Sequence, residues 1–250
     1  MLNIDFKVSE EILARVIIYK SSMPTDFANY LWDKYKDSYR ELKKRLSSHN
    51  VDANIIKEVQ QQEFFIKYLQ DAKDNLIRIK RGWLSNQNRI ETFLKNIFKV
   101  DIDLFITGYI VSPSLNCGTN IGGDSIVWGH NKGLKNLNYD LVYLVHECLH
   151  SFFPKGNLYH AIIESIADVE LAKMLNNTAE SYPCHAFTKE MHDTIYPYWN
   201  LFLGKSKEQI CLELEHSKRE YDIEKYENER DCLESLNIFE FVKFMESKNS

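Results

Sequence analysis

The five residues His146-Glu147-Cys148-Leu149-His150 form the spacing in this chain best suited to chemistry. Residues four apart on a helix share a face, so His146 and His150 can present imidazole nitrogens to one cation at about 2.0–2.1 Å. Glu147 lies one position beyond His146 and is turned around the helix from it. Its carboxylate can therefore reach a water on that cation without becoming a ligand. Zinc lowers the pKa of such a water towards about 7, and the carboxylate takes the proton as the water attacks a carbonyl. From Leu141 to Phe153 every residue outside the pattern is uncharged. Apolar walls of that kind suit a site that activates water.

A catalytic zinc ion wants a third protein ligand and one open position. The five cysteines, Cys117, Cys148, Cys184, Cys211 and Cys232, are odd in number and include no Cys-x-x-Cys pair. Free thiols are the expectation, so the ligands should be histidines and carboxylates. Downstream stand His160, Glu164, Asp168 and Glu170. Pro154-Lys155-Gly156 ends the motif helix, and so short a connection favours antiparallel neighbours. At 1.5 Å per residue, His150 and His146 lie about 5 and 10 Å back from the turn. Glu164 lies about 10 Å up the second helix, His160 about 5 Å and Glu170 about 20 Å. Glu164 is thus level with the histidines. Asp168, one turn further on the same face, is placed to accept a hydrogen bond from an imidazole, that of His146 by preference.

The pair of segments His146-Glu-Cys-Leu-His150 and Glu164-Ser-Ile-Ala-Asp168 resembles the zincin metallopeptidases of the gluzincin type, which include the thermolysin-like enzymes. The resemblance covers about residues 100–176. It implies that Glu164 binds zinc beside His146 and His150, that Asp168 orients a ligand histidine, and that Glu147 is the general base. It also implies a small sheet before the motif helix, with an edge strand that holds the substrate backbone; Asp124 to Gly129 is the expected counterpart. Zincins often add a Tyr or His that stabilises the oxyanion, and Tyr159, His160, His185, His192, Tyr196 and Tyr198 are the candidates. His192 and Tyr196 are four apart on an expected helix and could face the cleft together. Only 13 residues separate His150 from Glu164, shorter than the thermolysin-like spacing. The class with HExxHxxGxxH is excluded in its usual form, because Phe153 and Gly156 occupy its last two positions.

The elements that must hold these residues can be read from periodicity. Residues 1–100 form an expected helical N-terminal subdomain, with apolar residues at helical spacing such as Phe27, Leu31, Tyr35, Tyr39 and Leu42. Residues 101–250 form the expected catalytic region. Within it a small sheet of two or three strands occupies 101–130, the metal helices 137–176, and C-terminal helices 185–248. Asp101 to Ser112 and Ser125 to Gly129 are the strand candidates, separated by turn residues. The fold class is therefore α+β and predominantly helical. The charged stretch from Tyr221 to Asp231 reads as an exposed helix face, and Trp128 and Tyr143 as packing residues.

Composition bounds the partners. The chain has 250 residues, 44% hydrophobic and 27% charged, which is ordinary for a folded domain. Its net charge of −5 argues against a general nucleic-acid binder. Residues 1–100 carry 18 Lys/Arg against 13 Asp/Glu, net +5, and the remainder 13 against 23, net −10. No run approaches the length of a membrane span, and Asp5, Glu10 and Glu11 interrupt any leader pattern, so a cytoplasmic protein is expected. The expected function is hydrolysis of peptide bonds in a peptide or protein substrate with Zn2+ as cofactor. A zinc hydrolase of another amide or ester, and a non-catalytic binding protein on the same scaffold, are the alternatives.

Overall fold

The computed structural model describes residues 2–217 and 222–248, the side chains of 215–217 excepted. In chain order the first elements are β1 (Leu2–Lys7), α1 (Glu10–Tyr19), α2 (Thr25–Lys44), α3 (Ala53–Gln60) and α4 (Glu63–Phe98). There follow β2 (Leu104–Ile110), β3 (Cys117–Asn120), β4 (Ser125–Gly129), α5 (Asn131–Lys135), α6 (Leu137–Leu149) and α7 (Asn157–Glu164). The chain continues through a π-helical segment, Ser165–Leu171, into α8 (Ala172–Asn176). It ends with α9 (Lys189–Phe202), α10 (Lys207–Ser217), α11 (Arg230–Ser235) and α12 (Ile238–Lys248). No described helix is long and apolar enough to cross a membrane.

Contacts group residues 2–87 and 104–152 into one unit, and 88–103 with 153–250 into another. The first holds the sheet, in the order β1-β2-β4-β3. β1, β2 and β4 run parallel, and β3 pairs antiparallel to β4. β4 sits inside the sheet, and its residues Ile126, Val127 and Trp128 are all buried, as an interior strand requires. Gly118 on β3 leaves space for the Trp128 ring; a Cβ there would overlap it. α1 starts at Ser9, whose side chain accepts from Ile12 N, with Glu10 and Glu11 in the first turn. It buries Leu13, Val16 and Ile17 against Leu31, Leu42, Ile55 and Val59 of the next helices and Val127 of the sheet.

Three expectations change here. The sheet has four strands, because the amino terminus supplies β1 and the stretch read as turns supplies β3. The division expected at residue 100 is also not where contacts separate, since β1 pairs with β2 along its whole length. Asp124 to Gly129 is correspondingly no edge: β4 lies between β2 and β3, and β1 and β3 are the edge strands.

A buried polar bracket fixes α6 in this unit. Asp140, fully buried in its first turn, accepts from Trp128 Nε1 at 2.7 Å and pairs with Arg78 of α4. Arg78 also donates to Gly133 O at 2.9 Å and Asn75 Oδ1 at 2.7 Å, and Asn75 donates to Val111 O at 3.1 Å. Removing one partner of such a pair leaves the others desolvated and unmatched. Asp140→Ala is therefore expected to cost about 3–5 kcal/mol in chemical denaturation. Gly133→Ala should be destabilising for a related reason, because its Cβ would overlap the Asp140 carboxylate. A loss below about 1 kcal/mol for Asp140→Ala would mean that the bracket does not position α6.

The second unit is helical. Trp199 and Phe202 of α9 pack on Phe241 of α12, at ring separations of 5.5 and 4.6 Å. Phe98, Phe153 and Phe239 form a second aromatic cluster. The charged stretch expected as one helix from Tyr221 is instead two short 3-10 turns, Ile223–Lys225 and Glu227–Glu229, before α11. Tyr221 itself lies outside the described residues.

Lys205 joins the helices of this unit electrostatically. It donates to Glu170 Oε1 at 2.9 Å and to both oxygens of Glu213 at 3.0 and 2.9 Å, and Lys173 reaches Glu213 at 3.1 Å. Burial opposes both charges, yet the ion pairs prevail, raising Lys205 above its ordinary range and lowering Glu213 below its own. A depressed carboxylate stabilises above its ordinary pKa and loses that contribution as pH falls. A raised ammonium stabilises below its ordinary pKa and loses it as pH rises. This network should thus contribute fully between about pH 5 and 10. In thermal unfolding, Lys205→Met should lower Tm across that window and shrink the acid-side dependence; an unchanged Tm at neutral pH would refute it.

Candidate metal-binding residues

α6 carries the motif. Asn136 caps it, its side chain accepting from Asn138 N at 3.0 Å, and its last residue before the cap is Leu149. His146 is buried at 2% exposure, while Glu147 and His150 are half-buried. The two imidazole rings are 5.1 Å apart, one turn from each other along the helix. A row of rings sets their direction: Trp128 stacks on Tyr143 at 5.9 Å with an interplanar angle of 7°, and Tyr143 meets His146 at 5.9 Å. Trp128 and Tyr143 are thus packing residues, and the packing they supply orients a histidine. Cys148, inside the motif, is fully buried, and burial pushes its thiol well above the ordinary range.

The end of β3 is tied to the same helix. Asn120 Nδ2 donates to Glu147 O at 3.1 Å and to Ser151 Oγ at 3.2 Å, and its Oδ1 accepts from Gly122 N at 2.9 Å. One asparagine therefore fixes the edge strand, the following turn and the carboxyl end of α6. Nothing in the sequence around Cys117-Gly-Thr-Asn120 alternates in hydrophobicity, so neither the strand nor this link is legible there.

The second of the metal helices expected over 137–176 is continuous as α7, the π-helical segment and α8. π-helical turns occur disproportionately at functional sites. Glu164 and Asp168 are both fully buried, the latter within the π segment, where its carbonyl accepts from Tyr182 N at 2.8 Å.

Glu164 is the centre of a cluster inside the helical unit. Its Oε1 accepts from His185 N at 2.7 Å and lies 2.6 Å from His185 Nδ1. Its Oε2 accepts from Thr188 Oγ1 at 2.6 Å and lies 2.7 Å from His192 Nε2. His160, one turn before Glu164, places Nε2 3.2 Å from His185 Nδ1 and 3.6 Å from Glu164 Oε1. Burial works to raise the Glu164 carboxyl, but the hydrogen bonds from His185, His192 and Thr188 outweigh it and hold the group far below the usual carboxylate range. Two sets of ligand-type atoms lie within 4.8 Å of one another here: His160, Glu164 and His185, and Glu164, Cys184 and His192. Cys184, which no sequence spacing marks as a ligand, belongs to the second set.

The remaining candidates have separate surroundings. Tyr196 donates to Glu213 Oε2 at 3.3 Å, so it and His192 point to different partners despite their spacing. Tyr159 donates to Glu246, and Tyr198 packs on Tyr226 and Phe244. Glu170 is engaged by Lys205. His185, His192 and Thr188 lie 21 to 28 residues from Glu164, and no local spacing announces that convergence.

Compared with known families, curated proteins and solved structures, the chain matches none. Its function has to be sought in the site's own residues.

Proposed function

We propose that this protein is a zinc-dependent hydrolase of peptide bonds. The reading rests above all on the His146/His150 pair, one turn apart on an apolar helix with Glu147 beside them. His146 and His150 would hold the ion, with Glu164 as the third ligand that the resemblance to gluzincins implies. Two borderline imidazole donors and a carboxylate suit Zn2+ better than a hard cation. When bound, zinc would supply Lewis acidity and a water acidic enough to lose its proton near neutral pH.

The chain's own groups account for the other requirements. Glu147 takes the proton and returns it to the leaving amine. The stack of Trp128 and Tyr143 keeps the His146 ring in one orientation, and the Asp140 bracket anchors the start of the helix. β3 would hold an extended substrate backbone through its outer edge, in place of Asp124 to Gly129. It suits that part because no strand lies beyond it among the described residues, and Asn120 fastens it to the motif helix. Asp168 would steady a ligand histidine, and a histidine of the Glu164 cluster would serve as oxyanion donor.

Protein purified without chelator is expected to carry zinc, and His146→Ala and His150→Ala should each lose the ion of this site. Metal analysis by mass spectrometry checks this. Zinc content unchanged in the double variant would end the assignment.

A further inference from the structure

The proposed hydrolase needs one ligand from the segment around Glu164, yet three histidines converge on that carboxylate. We propose that His160, Glu164 and His185 form a second metal site within the helical unit, for a zinc-class divalent cation. It goes beyond the hydrolase reading but shares a ligand with it: with both ions bound, the Glu164 carboxylate would bridge them, as carboxylates do in two-metal sites.

The three donor atoms are His160 Nε2, His185 Nδ1 and Glu164 Oε1. Their mutual separations are 2.6, 3.2 and 3.6 Å. Donors at about 2.0–2.1 Å from a tetrahedral zinc ion lie a little over 3 Å from one another, so small shifts of the rings would complete the set. Metal ligation releases protons, so a cation would displace the one shared between His185 Nδ1 and Glu164 Oε1, and the two imidazole nitrogens and the carboxylate oxygen would each turn a lone pair to it. A divalent cation there satisfies all three at once. The donor set selects the chemistry: two nitrogens and one oxygen favour Zn2+ or Co2+ over Mg2+ or Ca2+.

The surroundings hold the donors in place. His192 Nε2 and Thr188 Oγ1 grip the other carboxylate oxygen at 2.7 and 2.6 Å, fixing the plane of Glu164 from behind. Such outer contacts are what metal-binding carboxylates ordinarily have. Phe187 packs on both ligand rings, 5.2 Å from His160 and 5.3 Å from His185. The site also has access, since the His185 side chain is 49% exposed while the Glu164 side chain is fully buried. A cation can therefore enter from solvent on the His185 side and keep a water as its fourth ligand.

The test is a titration of metal-free protein with Zn2+ against a chromophoric chelator, repeated with Co2+ and read by its visible absorption. The samples are the wild type, His146→Ala/His150→Ala and His185→Ala, each checked by circular dichroism. Wild type should bind two ions, and each variant one. His185 is exposed, so its truncation should leave the fold intact and tests the site even if the double variant is unstable. Loss of all binding in a folded His146→Ala/His150→Ala variant would overturn the proposal, as would a His185→Ala variant with wild-type stoichiometry. One wild-type ion, kept in the double variant and lost in His185→Ala, would support this site and refute the proposed hydrolase centre. One ion lost in the double variant but kept in His185→Ala would do the reverse. No binding by wild type would refute both.

Discussion

Replacing Glu147 by glutamine is expected to abolish most hydrolysis while leaving bound zinc and the fold unchanged. The amide matches the carboxylate in size but cannot take a proton from water. General-base groups contribute about 10²–10⁴-fold, and the loss should appear in kcat rather than KM, because the proton moves only on the way to the transition state. Structure makes this substitution a clean one. Glu147 is half-buried, and its contact with β3 runs through its carbonyl, which accepts from Asn120, so a change of side chain leaves that link in place. Neither His146 nor His150 is altered. Turnover of a peptide library by Glu147→Gln within a few-fold of wild type would mean that another group is the base. Zinc lost together with activity would mean that Glu147 is a ligand.

The features legible in the sequence are those that lie within one turn of helix. The His146/His150 pair and the apolar run around it are local and correspond to α6, and the break at residues 154–156 lies just beyond its end. Strand pairing is different. β1 is identified by its partner β2, about a hundred residues away, and not by its own pattern. β3 is four residues long with two small polar ones, and only Trp128 filling the space above Gly118 makes sense of it. Residues 222–229 show the opposite error: their charged pattern suits a helix, but 3-10 turns around Ile223, which is buried, take its place.

The cluster at Glu164 is half legible. Its carboxylate and histidines are ligand or donor types in the sequence, but their meeting is tertiary. His185 reaches Glu164 with both its backbone N–H and its ring, an arrangement that depends on where the chain between α8 and α9 is laid. The pairing expected of His192 and Tyr196 fails on a similar point. Four residues apart on a helix gives a common side, yet Glu164 takes one and the Lys205–Glu213 network takes the other.

Glu164→Ala is expected to weaken zinc at the His146/His150 site by more than about 100-fold, whereas His160→Ala leaves that ion bound. The ion in question is the one that His146→Ala/His150→Ala loses, which separates it from any ion held by His160 and His185. His160 competes for the role of third ligand, because imidazole binds zinc well and it stands on the same helix. Against it, the resemblance to gluzincins assigns the third ligand to a glutamate, and His160 stands one turn before Glu164 on α7. Asp168→Ala should fall between the two, about 10–100-fold weaker, as for an outer partner that steadies a ligand ring. Glu164→Ala also removes the acceptor for His185, His192 and Thr188, so a stability loss would accompany it. Glu164→Gln serves as its control: the amide keeps one acceptor oxygen and the volume, and loses the charge that binds zinc. Both variants should therefore lose the ion, with Glu164→Gln closer to wild type in Tm. Zinc titration against a competing chelator decides between the candidates. Retention in Glu164→Ala together with release in His160→Ala would make the site a three-histidine one and end the gluzincin assignment.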